Sequence, residues 1–224
     1  MPALKVHNIV FRHDDLFELQ LERGDIPFEP GACMALFNDD GDSRPYSISA
    51  GTKENILRFL IRRVPNGRVS DWLARRNPGD KVQASDPFGW FRPGRSTPTV
   101  ERCVFIATGT GTGIAPFLSH LRSNPAQPPE ACLYGVRQLA DAFALDELDF
   151  LEGFRLAVSR DSGPDHFHGR VTGLCEQIPL GEGIHYYLCG LDTMIEETSR
   201  WLEASGIDYT HIHREIFFYE DGQD

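Results

Sequence analysis

The chain has 224 residues, 41% hydrophobic and 25% charged, which is ordinary for a globular protein and leaves room for one large domain or two small ones. A net charge of −11 argues against non-specific nucleic-acid binding. No apolar run approaches the roughly 18 residues of a membrane-spanning helix, and residues 1–10 lack the basic stretch and apolar core of a signal peptide. A cytoplasmic protein with no membrane span is expected.

Five cysteines, at positions 33, 103, 132, 175 and 189, form no CxxC pair and no spacing able to hold a two-iron cluster. Reduced, mostly buried thiols and no metal site are expected. Charge is unevenly spread. Residues 44–102 carry twelve Lys and Arg against five Asp and Glu, whereas the rest of the chain carries ten against twenty-eight. The basic segment fits an anionic ligand or an acidic partner, and it equally fits a solvated charged face.

In chain order, residues 17–22 alternate apolar and polar with period two, the mark of a half-buried strand. Residues 46–49 and 57–64 read as further short strands between Gly, Asn, Pro and Asp clusters. A helix is expected over 70–76, opened by Ser70 as its N-cap and stopped by Asn77 and Pro78. A turn at Pro78, Gly79 and Asp80 leads into a strand at 81–84. Short strands with regular turns imply a small antiparallel β-barrel. Residues 92–98, rich in Pro, Gly and charge, read as a joint that divides the chain into domains 1–98 and 99–224.

Beyond the joint the pattern changes. Residues 103–107, 131–135, 154–159 and 184–189 are apolar runs suited to strands buried on both faces. Helices are expected at 114–123 and 192–204. Strands alternating with helices imply βαβ units and a parallel-sheet α/β domain.

Gly109, Thr110, Gly111, Thr112 and Gly113, then Ile114, Ala115 and Pro116, follow a buried strand and open a helix. Glycines let a backbone approach a pyrophosphate, and a helix N-terminus offers free N–H groups. The spacing is not the G-x-G-x-x-G of dinucleotide folds, and such a loop can also do no more than turn a corner. Read singly, Arg44 fits a surface cation, Tyr46 a core aromatic and Cys189 a buried strand-end thiol.

Together with Arg44-Pro-Tyr-Ser47 and the stretch from Val64 through Gly67, Arg68 and Val69 to Ser70, this loop resembles the ferredoxin–NADP reductase superfamily, its bacterial branch most. Tyr134-Gly-Val-Arg137, Ser159-Arg160, Gly169-Arg-Val171 and Cys189-Gly190 follow in the family's order, so the resemblance runs from about residue 5 to Phe217. It implies FAD and NADP(H) as cofactors. Arg44 would pair with the flavin pyrophosphate, with Pro45 beside it, while Tyr46 lies against the isoalloxazine and Ser47 reaches N5. Phe59, Leu60, Ile61 and Arg62 would line the flavin; Gly67, Arg68, Val69 and Ser70 would cradle its pyrophosphate, and Thr112 joins the FAD set. Gly109, Thr110, Gly111 and Gly113 would meet the nicotinamide nucleotide.

The resemblance further assigns Arg137, Ser159, Arg160 and Arg170 to the coenzyme's 2′-phosphate, which implies NADPH; Asp161 and Asp165, nearby in sequence, oppose it. Cys189 and Gly190 would meet the nicotinamide, and Ser47, Cys189 and Glu215 form the expected catalytic set, Glu215 as a proton relay. Phe217 would cover the flavin, although seven residues follow it, a tail that bacterial relatives fold over the adenine half of FAD. Arg63, Arg75 and Arg76 remain for a small acidic electron carrier docked on the basic segment. The implied activity is ferredoxin (or flavodoxin)–NADP(+) reductase. The alternatives are an NADH-dependent reductase component of an oxygenase and a non-catalytic FAD-binding electron-transfer subunit.

Overall fold

A computed structural model describes residues 1–95, 102–109 and 112–218, the side chains of Phe217 and Phe218 excepted. Internal contacts divide it into two units. The first is Met1–Arg92 with Ala115–Ala126, and the second is Pro93–Ile114 with Gln127–Asp224.

In the first unit, strands β1 (Ala3–His13), β2 (Leu16–Glu22), β3 (Cys33–Phe37), β4 (Ser43–Ser47), β5 (Ile56–Arg62) and β6 (Lys81–Ala84) form one sheet. Its order is β4-β3-β6-β1-β2-β5, and neighbouring strands are antiparallel. A bridge between Ile48 and Phe59 links the residue after β4 to β5, the opposite edge, and so curls the sheet toward a barrel. The period-two pattern of β2 puts Phe17, Leu19 and Leu21 inside, opposite Ile61, Phe59 and Leu57 of β5, all fully buried.

Helix α1 (Ser70–Ala74) is one short turn, and its cap differs from the sequence expectation. Val69 occupies the N-cap, and Ser70 is already helical. The Ser70 Oγ accepts from the Val64 N–H at 3.0 Å, which fastens the preceding loop rather than the helix end. Helix α2 (Ala115–Ser123) belongs by contacts to the first unit. Ser119 Oγ donates to the Ala50 carbonyl at 2.8 Å, Arg122 donates to the Ser49 carbonyl at 2.8 Å, and Ser123 Oγ accepts from the Thr52 N–H at 2.9 Å.

The second unit holds β7 (Arg102–Ala107), β8 (Ala131–Val136), helix α3 (Leu145–Leu148), β9 (Phe154–Val158), β10 (Phe167–His168), β11 (Ile184–Leu191), α4 (Asp192–Ala204) and β12 (Ile212–Phe218). The sheet order is β10-β9-β8-β7-β11-β12, with every neighbouring pair parallel. β8 is buried along its whole length and β11 at all but its last residue, which explains their unbroken apolar sequences. Val104, Ile106, Leu133, Tyr186 and Leu188 pack with Ile195 and Leu202 of α4 in one core. The order runs outward from β7 to β10 and then reverses to β11 and β12, so the gap between β7 and β11 is a topological switch point. Among the described residues no helix is long and apolar enough to cross a membrane.

Candidate functional site

In the first unit, β4 and β5 carry the residues expected to hold a flavin. Tyr46 is half-buried against the barrel core, and burial pushes its phenol well above the ordinary range, so it stays a neutral donor. Ser47 is buried, its Oγ 3.4 Å from Cys33 Sγ across the β3–β4 pair. Phe59 and Ile61 point fully into the core, so only their backbone is available to a ligand; Leu60, on the other face, is also buried.

The cations of this region divide into two groups. Arg63 and Arg75 both pair with Asp71, at 2.7 and 2.5 Å, and Arg76 stacks over the Trp72 ring at 4.1 Å. They are therefore engaged within their own unit, which limits what they can offer an acidic carrier. Arg68 makes only an exposed contact of 3.3 Å to Asp42, while Asn38 Nδ2 donates to its carbonyl at 2.9 Å. Arg44 donates to the adjacent Ser43 carbonyl, and among the described residues neither Arg44 nor Arg62 has a carboxylate partner. Two guanidinium groups without counter-ions are suited to a phosphate-bearing ligand.

In the second unit the chain repeatedly leaves the carboxyl end of a strand into one cavity of about 330 Å³. Thr108 and Gly109 enter it after β7, Arg137 after β8, Ser159 and Arg160 after β9, Arg170 after β10, and Leu191 at the end of β11. Ligands of open parallel sheets bind beyond the carboxyl ends of the strands at the switch point, and the volume falls at the small end of the roughly 300–1,000 Å³ typical of small-molecule sites. The Ser159 N–H donates to the Val136 carbonyl and the Arg160 N–H to the Arg137 carbonyl, at 3.1 and 2.8 Å, which fixes the two post-strand segments side by side.

None of Arg137, Arg160 and Arg170 forms an ion pair among the described residues. Asp161 does not neutralise them: its Oδ2 accepts from the Leu139 N–H at 2.8 Å. Asp165 is exposed and is absent from the cavity wall.

Gly113, Cys189 and Gly190 do not line this cavity but hold Thr108, which does. The Thr108 N–H donates to the Cys189 carbonyl at 2.9 Å, and Thr108 Oγ1 accepts from the Leu191 N–H at 3.3 Å. A Cβ at Gly113 would collide with the Thr108 carbonyl. Cys189 is fully buried and stands in register with Glu215 on β12. Thr112 donates by backbone and hydroxyl to the Gly109 carbonyl, closing the turn. Thr110, Gly111 and residues 219–224 lie outside the described residues, as does the side chain of Phe217.

Thr108, Thr172, Thr193, Met194 and Glu197 complete the wall and were not read from the sequence as site residues. The available signal was positional: Thr108 directly follows a strand, and the others lie on the segments that follow β10 and β11.

The two units are thus an antiparallel sheet curled toward a barrel and a parallel sheet with an arginine-lined cavity at its switch point. An oxidoreductase FAD-binding domain family matches residues 4–92, and an oxidoreductase NAD-binding domain family matches residues 105–200. Among curated proteins, the toluate 1,2-dioxygenase electron transfer component of Pseudomonas putida is 31% identical over 204 residues, 86% of this chain and 59% of that protein. The aromatic O-demethylase reductase subunit of an Amycolatopsis strain is 32% identical over 207 residues, 86% of this chain and 61% of its own length. Among solved structures, a ferredoxin NADP+ reductase from Neisseria gonorrhoeae with bound FAD and NADP superposes with a TM-score of 0.86 at 22% identity, covering 97% of this chain and 98% of that one. The chain thus carries an oxidoreductase FAD-binding domain followed by an oxidoreductase NAD-binding domain, and it shares the fold of that reductase. It spans only about three-fifths of the length of the curated relatives it matches.

Proposed function

We propose that the chain is an FAD-dependent reductase that takes hydride from NADPH and delivers electrons to a small one-electron carrier, a ferredoxin or flavodoxin. The observation that carries the coenzyme choice is the set of three guanidinium groups, Arg137, Arg160 and Arg170, that line one cavity without carboxylate partners among the described residues. Three uncompensated cations favour a ligand bearing a phosphate dianion beyond its pyrophosphate. A bare ribose is instead met by a carboxylate in related nucleotide folds.

FAD fits the first unit, where Arg44 and Arg62 have no counter-ions among the described residues and Tyr46 offers an apolar ring with a neutral hydroxyl. Bound there, FAD supplies a carrier that accepts two electrons as hydride and releases them singly. In this reading Arg44, with Gly67 and Arg68, holds pyrophosphate, and Ser47 offers a hydroxyl to the hydride-accepting atom. Thr108, positioned by Cys189, Gly190 and Gly113, orients the nucleotide, and Glu215 beside Cys189 is the candidate proton carrier.

A second reading, the reductase component of an oxygenase, draws on the relatives. The naphthalene dioxygenase component of Ralstonia, 29% identical, is named a ferredoxin–NAD(P)(+) reductase. The two readings differ in coenzyme and in the final acceptor, and share the flavin chemistry.

Anaerobic titration of the purified yellow protein with NADPH and, separately, NADH tests the choice by flavin absorbance. Bleaching at lower concentration with NADPH supports the proposal. Equal or better bleaching by NADH moves the assignment to the oxygenase-type reading, and no bleaching by either favours the non-catalytic subunit.

A further inference from the structure

The cavity of the second unit is not uniformly cationic. Glu197 also lines it, from α4, where it stands four residues after Thr193 and three after Met194 and so neighbours both on the helix surface. Burial above all holds the Cys175 thiol above its ordinary range, and the Glu197 carboxylate is close enough to add to it. Among the described residues it makes no ion pair with Arg137, Arg160 or Arg170, although all four line the same cavity. Nor does any hydrogen bond among the described residues engage its carboxylate, so its oxygens are available as acceptors. A carboxylate can only accept hydrogen bonds, so, unpaired with the arginines, it suits a donor on the ligand rather than its phosphate.

Three cations and one carboxylate not paired with them make the cavity complementary to a ligand that carries both an anionic group and a hydrogen-bond donor. An adenine nucleotide has that character: phosphate on the ribose, and an exocyclic amino group on the base. We infer that Glu197 is a specificity residue that reads the base, its carboxylate accepting a hydrogen bond from the adenine 6-amino group. The inference rests on the nicotinamide-coenzyme reading above and adds to it a base preference.

The test pairs a ligand change with a residue change. Dissociation constants are measured for NADPH and for its deaminated analogue, in which hypoxanthine replaces adenine and a carbonyl replaces the amino group. The wild-type protein is expected to bind NADPH about tenfold or more tightly than the analogue, the ratio expected for a charge-assisted hydrogen bond. In Glu197→Gln the amide can donate to the hypoxanthine carbonyl, so the preference is expected to fall to near unity. Glu197→Ala, which can neither donate nor accept, should weaken NADPH binding while leaving the analogue's nearly unchanged. Glu197 is exposed, so neither substitution removes a core contact.

The same NADPH-to-analogue ratio in all three proteins would overturn the inference, because a merely structural role alters both ligands equally. No binding of either ligand by the wild type would instead overturn the coenzyme reading.

Discussion

Thr108 and Gly190 approach so closely that a Cβ at position 190 would stand 2.5 Å from Thr108 Oγ1 and 2.6 Å from its carbonyl oxygen. The backbone at Gly190 has φ +140, a conformation that L side chains rarely adopt. Gly190→Ala is therefore expected to displace Thr108 from the cavity wall. Backbone strain alone costs about 1–3 kcal/mol, and the contact with the Thr108 backbone adds to it. Thermal unfolding should report the loss of stability, and coenzyme titration a weaker affinity; an unchanged Tm and Kd would count against this packing.

Arg160→Ala should raise KM for NADPH about ten-fold or more and change KM for NADH much less. A charge-assisted phosphate contact contributes on the order of 1.5–3 kcal/mol, and solvent screening at this exposed side chain favours the lower end. Steady-state kinetics with both coenzymes decide it. An equal effect on the two would remove the basis for preferring NADPH.

Asp71 accepts a hydrogen bond from Arg63 and pairs with Arg75, and these cations hold its carboxyl below the usual carboxylate range. A depressed folded-state pKa stabilises the protein above the unfolded value and is lost as pH falls through the folded one. Asp71→Asn should thus reduce stability at neutral pH and flatten the decline toward about pH 3. Urea midpoints across that interval measure it; parallel wild-type and variant profiles would refute it.

All five cysteines are buried, and burial pushes the Cys132 thiol up to about 12 and that of Cys175 to about 11. Near pH 8 neither carries appreciable thiolate, the form that reacts. A disulfide reagent should leave both untouched in the native protein and modify them on unfolding in urea. Rapid native labelling at either position, mapped by mass spectrometry, would contradict the burial described here.

Ser47→Ala should slow flavin reduction by NADPH in single-turnover measurements while FAD stays bound, because Ser47 is buried and, among the described residues, its hydroxyl meets only Cys33 Sγ. An unchanged reduction rate would count against its placement at the reacting atom.

Elements with a pure period were legible from the sequence. The alternation of residues 17–22 gives β2, and the unbroken apolar runs give β7, β8 and β11 to within two residues. β1 was not legible, because exposed residues dominate its second half as it twists between two partners. β12 was hidden too: His213, Arg214 and Glu215 read as polar, yet the segment pairs with β11 from Ile212 to Phe218. At the site, Arg137 and Arg160 each follow a buried strand, whereas Arg170 follows Gly169, and all three were singled out by the family resemblance. Glu197 was not, since a glutamate on an amphipathic helix looks like any solvated charge until the sheet order brings its face to the cavity.

Helix α2 carries a consequence for how the protein is made. The carbonyls of Ser49 and Ala50 have their partners on Arg122 and Ser119, some seventy residues downstream. The first unit is therefore discontinuous in the chain, and a fragment ending at Arg92 would leave these groups without their donors. On the ribosome the same arithmetic sets an order of events. The barrel strands emerge first, but their last hydrogen bonds wait until β7 of the other unit and then α2 have been synthesised. Completion of the flavin half thus depends on the nucleotide half having begun, a built-in schedule that a simple two-bead picture of the sequence would miss.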